Sequence, residues 1–381
     1  MPSIAPHAEG MPRSGIRAIM DLAWQLPGPV IGLHVGEPSF ATPPHVLDAA
    51  RDAYARGLTR YVPNAGIPEL RERLVAKLAD RNGIHVETSQ VIVTQGGMQA
   101  LHLAASAVLR AGDEVLIPDP GWPNFAMLTE LLQARPVRYA LRAEHGFQPD
   151  VADLAPLVTP RTRAIIVNSP SNPLGAVFPE ERLRALVRFA DEHDLWLISD
   201  ECYEEITFGA PHVSPASLDT GGRVLSCFSF SKTYAMTGMR VGYLVVPEPL
   251  AAVCAKLQEP LLACVNAPAQ YGALAALTGP QDQVAAARGT YGARRDKATA
   301  LLDEAGVPYL RPDGAFYLWV DVSDRCGSED VTDWAVRLLR ERHVAVAPGT
   351  TFGPGGAGWI RLSLATADDD LLEGIDRILR F

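Results

Sequence analysis

The chain has 381 residues, of which 48% are apolar and 20% are charged. A chain of this length is expected to form two domains, at roughly 150 residues each, and its composition excludes a disordered or fibrous protein. Lys and Arg number 34 against 44 Asp and Glu, which gives a net charge of −10, and no basic run interrupts the sequence. These charges exclude a basic nucleic-acid-binding protein, so nucleic acid is not expected as a partner.

The cysteines and the N-terminus indicate the compartment. The five cysteines form no CxxC pair and no zinc-ligand spacing, and their odd number excludes a complete disulfide framework. Residues 1–14 lack the apolar core of a signal peptide, and no run of about 18 apolar residues predicts a membrane span. We therefore expect a cytoplasmic protein with no metal site and no contact with a membrane.

Short apolar runs alternate with amphipathic segments through the middle of the chain. Helices are predicted over 98–109, which is almost uncharged, and over 180–193, whose apolar residues fall on one face. The predicted strands are 91–94, 114–118, 164–167, 195–199, 224–228 and 241–246. This alternation predicts an α/β fold, with a mostly parallel sheet covered by helices on both faces.

The last third of the chain has a different pattern. A long helix is predicted over 281–305, and it is followed by strands at 315–320 and 359–365 and helices at 331–342 and 369–379. This order predicts a smaller α+β domain. We expect a large domain over residues 45–280 and a small domain formed by 1–44 together with 281–381, with the two packed against each other.

Two glycines follow the first strand of the predicted sheet, where ligands of open α/β sheets bind. Gly96 and Gly97 open the uncharged helix, so backbone N–H groups could approach an anion there. This pattern is typical of a phosphate site, although such a turn can also be purely structural. Asn172, in a Pro- and Asn-rich segment after another strand, is a further candidate at the same edge, or part of an ordinary loop.

Two charged side chains end neighbouring predicted strands. Asp200 would be buried and would need a cation or a proton, unless it only caps a following helix. Lys232 stands among hydroxyl and apolar residues, where desolvation favours the neutral amine that forms a Schiff base. The alternative for Lys232 is a side chain that reaches the surface. Arg240 could hold a phosphate with its planar guanidinium.

A lysine, a carboxylate and a phosphate site are what pyridoxal phosphate requires of a protein. In addition, eight short motifs between Gly36 and Leu364 resemble, in their order, those of fold-type I pyridoxal-phosphate aminotransferases of class I and II. The motifs are Gly36-Glu37-Pro38, Tyr61-Val62-Pro63-Asn64-Ala65-Gly66, Gly96-Gly97-Met98-Gln99-Ala100-Leu101, Asn168-Ser169-Pro170-Ser171-Asn172-Pro173, Ser199-Asp200-Glu201-Cys202-Tyr203, Ser229-Phe230-Ser231-Lys232, Pro312-Asp313-Gly314-Ala315-Phe316-Tyr317 and Arg361-Leu362-Ser363.

The resemblance implies an activity and a set of catalytic residues. It implies a ping-pong transaminase that moves an amino group from a neutral or aromatic α-amino acid to a 2-oxo acid such as 2-oxoglutarate, through pyridoxamine phosphate. Lys232 would hold the cofactor and carry a proton, Asp200 would pair with the ring nitrogen, and Tyr203 would bond the phenolic oxygen. Lyase, cyclase or oxidase chemistry on an amino acid, with the same fold and cofactor, is the alternative.

The resemblance also implies the binding residues. Tyr61 would reach the phosphate in a neighbouring subunit, so a homodimer with shared sites is expected. The cofactor-binding residues would be Gly97, Met98, Trp122, Asn172, Asp200, Tyr203, Ser229, Ser231, Lys232, Arg240 and Tyr61. The substrate-binding residues would be Gly36, Trp122, Asn172 and Arg361, with Arg361 holding the α-carboxylate.

The side-chain pocket is less defined by sequence. Ile16, Phe40 and Phe352 are candidates for an apolar wall. Arg17 could bind a distal carboxylate or could lie in solvent on a helix face. Two further classes are disfavoured: a dinucleotide-binding domain would need a GxGxxG after the first strand, and a regulator of this fold would need a DNA-binding domain ahead of the motifs.

Overall fold

The computed structural model describes residues 2–209 and 211–381, and these form strands in three sheets. The strands are β1 (Ile31–Gly32), β2 (Val91–Thr94), β3 (Glu114–Asp119), β4 (Arg135–Ala140), β5 (Thr162–Asn168), β6 (Trp196–Asp200), β7 (Val224–Ser229), β8 (Gly242–Val245), β9 (Tyr309–Leu310), β10 (Tyr317–Asp321), β11 (Val344–Ala345), β12 (Ala347–Pro348) and β13 (Trp359–Ser363).

Helices cover the sheets and join them. They are α1 (Pro6–Glu9), α2 (Gly15–Gln25), α3 (Pro44–Ala55), α4 (Pro68–Lys77), α5 (Gly96–Val108), α6 (Asn124–Leu131), α7 (Val151–Leu154), α8 (Glu180–Glu192), α9 (Phe230–Thr233), α10 (Glu248–Leu262), α11 (Ala267–Thr278), α12 (Asp282–Glu304), α13 (Ser323–Cys326), α14 (Val331–Arg342) and α15 (Asp368–Leu379). Within the described ranges, no helix combines the length and the hydropathy that a membrane crossing requires.

The large sheet has seven strands in the order β2-β8-β7-β6-β5-β3-β4, and only β8 runs antiparallel to its neighbours. Successive residues of a strand point to opposite faces, so Ile165 joins the cluster packed against α8 while Ile166 joins the one packed against α5. This arrangement confirms the predicted α/β class. It also explains why the central strands are nearly continuous apolar runs, since both of their faces are buried.

Strand β4 was missing from the sequence-based prediction. It reads Arg135-Pro136-Val137-Arg138-Tyr139-Ala140, and it lies at the edge of the sheet, where all of its residues except the buried Tyr139 are partly or largely exposed. Proline and charged residues are tolerated on an edge strand because one side of its backbone needs no partner. The hydrophobic pattern that marks a buried strand is therefore absent.

The C-terminal third forms a four-stranded antiparallel sheet in the order β12-β13-β10-β9. Its core includes the fully buried side chain of Trp334 from α14. The N-terminal strand β1 pairs in parallel with β11, which joins the start of the chain to this part. The predicted α+β pattern is confirmed here, while the domain boundaries at residues 45 and 280 stay a prediction.

Candidate active site

A cavity of about 530 Å³ lies at the carboxyl ends of five strands of the large sheet, and β13 of the smaller sheet also contributes to its lining. Twelve of the thirteen residues predicted to form the site line it: Gly36, Gly97, Met98, Trp122, Asn172, Asp200, Tyr203, Ser229, Ser231, Lys232, Arg240 and Arg361. Tyr61 does not line this cavity, and its side chain is 88% exposed.

Lys232 enters the cavity from the one-turn helix α9, which directly follows β7. The hydroxyl of Ser229 caps this helix by accepting the backbone N–H of Ser231 at 3.1 Å. The ammonium group of Lys232 donates to the carbonyl oxygen of Gly36 at 2.7 Å, and the side chain is half-buried. The alternative of a lysine that reaches the surface is therefore wrong.

Asp200 is the last residue of β6 and is only 5% exposed. Its Oδ1 accepts the backbone N–H of Cys202 at 3.2 Å within a turn, so the alternative that it caps a helix is wrong. Burial, and to a lesser extent the charge of the adjacent Glu201, raises the pKa of the Asp200 carboxyl to about 7. A buried carboxyl of this kind suits a ligand that brings a positive charge to it.

The raised pKa of Asp200 predicts a pH-dependent stability of the cofactor-free protein. The carboxyl titrates at about 7 in the folded chain and at the ordinary value of 3.8 when unfolded. Between these values the folded state holds a proton that the unfolded state has lost, so stability falls as pH rises. Asp200→Asn lacks this titrating carboxyl. Thermal unfolding measured between about pH 4.5 and about pH 7 should therefore show a smaller loss of stability in the variant than in the parent protein. Parallel stability curves would contradict the assignment.

The cavity also contains several hydrogen-bond donors for an anion. Helix α5 begins at Gly96, and its N-terminus carries a partial positive charge. A β-carbon on Gly96, whose φ is +76°, would lie 2.6 Å from the guanidinium of Arg240, so glycine allows the two to approach. The hydroxyls of Ser229 and Ser231 line the same cavity. This donor set fits a phosphate group, and the carboxyl and lysine beside it fit the ring and aldehyde of pyridoxal phosphate.

Arg361 lies on the central strand β13 and is 2% exposed. It donates to Asn172 Oδ1 at 2.8 Å and to the carbonyl oxygen of His34. Its guanidinium carbon lies 4.2 Å from the ring centre of Tyr317. Among the described residues no carboxylate pairs with Arg361, and its buried Nε has no acceptor. Burial lowers the pKa of Arg361, and an incoming carboxylate would supply the missing charge.

Tyr317 is the last residue of one of the sequence motifs, but it was not predicted as a site residue. Its hydroxyl lies 2.8 Å from that of Tyr203, and it lines the cavity. Burial raises the pKa of Tyr203 well above the ordinary value of 10, so Tyr203 keeps its proton and can donate it in a hydrogen bond. A β-carbon on Gly36 would lie 1.9 Å from the hydroxyl of Tyr317. A residue with a side chain at position 36 would therefore clash with Tyr317, which belongs to the smaller sheet.

Part of the cavity wall is apolar, although the charged residues Arg17 and Glu37 also line the cavity. Ile16 contributes to it as predicted, together with Met20, Val35, Leu101, Met98 and Trp122. The candidates Phe40 and Phe352 are wrong. The ring of Phe40 packs against Tyr291, with centroids 5.4 Å apart, and Phe352 is 1% exposed, 5.0 Å from the guanidinium carbon of Arg361. Arg17 is exposed at the rim of the cavity.

Known proteins are similar to this chain in sequence and fold. The family model described as aminotransferase class I and II matches residues 28–378. An aspartate/prephenate aminotransferase of Thermus thermophilus is 40% identical over 354 residues, which cover 92% of this chain and 90% of that protein. An aromatic-amino-acid aminotransferase of Thermococcus litoralis is 37% identical over 99% of this chain and 97% of its own length.

A solved structure agrees with these sequence matches. The aspartate aminotransferase of Thermus thermophilus with maleate is 38% identical, covers both chains completely and superposes with a TM-score of 0.95. The fold and the site together define an aminotransferase of pyridoxal-phosphate fold type I. The chain belongs to the aminotransferase class I and II family, whose members are pyridoxal-phosphate-dependent enzymes.

Proposed function

We propose that this cavity binds pyridoxal 5′-phosphate and transfers the amino group of a neutral or aromatic amino acid to a 2-oxo acid such as 2-oxoglutarate. The observation that carries the proposal is the convergence of Lys232, Asp200 and the donor set of α5 and Arg240 in one cavity. Each of these groups would bind a different part of the cofactor: Lys232 the aldehyde, Asp200 the ring nitrogen, and the donor set the phosphate.

The bound cofactor would supply an aldehyde that condenses with amines and a ring that accepts the electron pair of a broken Cα–H bond. The amine of Lys232, which donates to the Gly36 carbonyl oxygen, would take the proton from the substrate's Cα and return it as a general acid. Asp200 would keep a positive charge on the ring nitrogen, and the hydroxyl of Tyr203 would donate toward the phenolic oxygen. Trp122 and Asn172 line the space between these groups.

We infer the class of substrate from two groups of residues that line the cavity. The buried Nε–H of Arg361 has no acceptor, and the guanidinium would hold an α-carboxylate in a bidentate pair. The apolar wall of Ile16, Met20 and Leu101 accepts a neutral or aromatic side chain. A substrate held at its carboxylate and its side chain would present its Cα–H bond to Lys232.

A titration with amino acids and no oxo acid tests this function. Phenylalanine and leucine should convert the visible absorption of the holoenzyme to that of the pyridoxamine form, with one 2-oxo acid released per site. We expect kcat/KM for aspartate to be at least tenfold lower, because the apolar wall leaves its second carboxylate unpaired. Arg17→Ala is the control, since it should change kcat/KM neither for aspartate nor for phenylalanine and leucine.

The outcomes separate the alternatives. A loss of aspartate turnover in Arg17→Ala would assign the distal carboxylate to Arg17 and contradict the neutral-donor proposal. Elimination products or peroxide in place of the oxo acid would move the function to lyase, cyclase or oxidase chemistry.

We further propose that the active enzyme is a homodimer in which Tyr61 reaches the partner's cofactor phosphate. Large apolar side chains are exposed on this chain, with Tyr54 56%, Leu47 49% and Leu261 46% accessible, and a second copy would bury such surface. Sedimentation velocity should give twice the mass of the chain. Tyr61→Phe should weaken cofactor binding several-fold, the loss of one hydrogen bond to a charged group, without changing the mass. A monomer with full activity would contradict this proposal.

A further inference from the structure

A cluster of buried charged and polar side chains lies outside the cavity, at the end of α4. At its centre is the ammonium group of Lys77, whose side chain is 6% exposed. It donates to the carboxylate of Glu204, to Asn82 Oδ1 at 2.8 Å and to the hydroxyl of Tyr243 at 3.2 Å. All three ammonium hydrogens therefore have acceptors inside the protein.

The carboxylate of Glu204 is held from two sides. One of its oxygens accepts from Lys77 and the other from the side-chain amide of Asn82, and its side chain is 11% exposed. A buried ion pair loses much of its attraction to desolvation, and an apolar pair of similar volume often stabilises a fold as well or better. A gain in folding stability therefore explains the presence of this buried ion pair poorly. The fixed geometry of the pair is better suited to holding a neighbouring group in position.

Glu204 follows Tyr203 directly in the chain. Residues 201–206 form turns and contain neither helix nor strand. Within the segment, backbone bonds run from Glu204 N–H to the Glu201 oxygen at 3.1 Å and from Ile206 N–H to the Tyr203 oxygen at 2.9 Å, and its two ends are bonded through the backbone to Cys227 and Ala315. A segment without a regular backbone ladder takes much of its position from side-chain anchors. The bond between Glu204 and Lys77 is such an anchor, one residue from the hydroxyl proposed to contact the cofactor.

Lys77 also contacts the strand that carries a phosphate donor. Its ammonium nitrogen lies 5.0 Å from the ring centre of Phe228, which stacks on the ring of Tyr243 with centroids 4.8 Å apart. Such a cation–π contact is attractive, most of all where water is excluded. Phe228 directly precedes Ser229. One buried ammonium group therefore touches both the segment of Tyr203 and the strand of Ser229.

We propose that Lys77 is a positioning residue for the cofactor, acting through Glu204 on Tyr203 and through Phe228 on Ser229. This inference rests on the proposed function, because both targets are residues that we place around pyridoxal phosphate. Lys77 itself touches neither cofactor nor substrate.

The test compares Lys77→Met with the parent enzyme, since methionine keeps the apolar stem and removes the charge. Two quantities are measured: the dissociation constant of pyridoxal phosphate for the cofactor-free protein, and the pH midpoint of the visible absorption of the bound cofactor. We expect the dissociation constant to rise about tenfold, the size of coupling found between residues of one hydrogen-bond network, and the pH midpoint to shift. Glu204→Gln, which keeps the shape of the side chain, should shift the midpoint in the same direction.

A double-variant cycle with Tyr203→Phe separates positioning from general loss of stability. If Lys77 acts through Tyr203, adding Lys77→Met to Tyr203→Phe should shift the midpoint little further. The matched control is Arg81→Gln, which breaks the neighbouring and more exposed pair with Glu205 and should leave both quantities unchanged.

Three results would overturn the inference. One is a Lys77→Met protein that unfolds at a lower temperature but keeps the parent's midpoint and dissociation constant. Another is a Glu204→Gln protein with the parent's values, which covers the case in which Lys77→Met does not fold. The third is a set of fully additive shifts in the cycle. If the parent itself shows no absorption band with added pyridoxal phosphate, the proposed function fails first, and this result is distinct from the other three.

Discussion

Lys232→Ala is expected to abolish turnover while leaving the fold and the dimer intact. The variant has no amine to hold the cofactor covalently and none to move the proton at the substrate's Cα. A positioned acid–base group contributes up to about 10⁴-fold in rate, and the loss of the covalent link adds to it, so kcat should fall by about 10⁴-fold or more. The visible absorption band of the parent enzyme should also be missing, which a spectrum of the purified variant would show.

The structure predicts a small effect of Lys232→Ala on stability. The side chain is half-buried and makes one hydrogen bond, to the carbonyl of Gly36, so its loss should cost about 1 kcal/mol. Lys297→Ala is the matched control, since it removes an exposed ion pair with Asp368 and should keep full activity. Measurable turnover with an unchanged spectrum in Lys232→Ala would remove Lys232 from its proposed role.

Asp200→Ala is expected to give the second-largest loss. Without the buried carboxylate, the ring nitrogen of the cofactor has no negative partner, and the electron pair of the Cα–H bond is less well accepted. Removing one preorganised electrostatic group costs about 10²–10³-fold in kcat. Stopped-flow measurement of the first half-reaction, with and without deuterium at the substrate's Cα, would place this loss on proton removal.

The conservative variant of Asp200 serves as the control for charge. Asp200→Glu keeps the carboxylate and should retain more activity than Asp200→Ala, although the longer side chain must fit a site that is 5% exposed. Full activity in Asp200→Ala would contradict the role of Asp200. A loss confined to cofactor affinity, with the isotope effect unchanged, would limit that role to binding.

Much of the large sheet could be predicted from the sequence. Strands β2, β5 and β6 are short apolar runs bounded by turn residues, because they are buried on both faces. Strand β4 could not be predicted, since an edge strand tolerates the charges and the proline that it contains. The cytoplasmic location and the domain boundaries stay predictions.

The candidate site was predicted to a similar extent. Asp200 and Lys232 could be predicted because Asp200 ends one strand and Lys232 closely follows another, and parallel strands bring their carboxyl ends to one edge. Phe352 was predicted for the substrate wall, but it packs beside Arg361 because its side chain points into the core between the two sheets. Hydrophobic character predicts burial and does not predict which buried space a ring fills.

The sequence by itself determined the class of fold, the family resemblance and the polar groups at the ends of the strands, because these depend on local pattern and on the direction of the chain. Only the tertiary structure decided which residues these polar groups contact. Two of these contacts, Tyr317 with Tyr203 and Lys77 with Glu204, join residues more than one hundred positions apart. The burial of Arg361 without a carboxylate likewise depends on the packing around it. Such contacts arise from the packing of whole elements, and the pKa values and hydrogen bonds of the site follow from them.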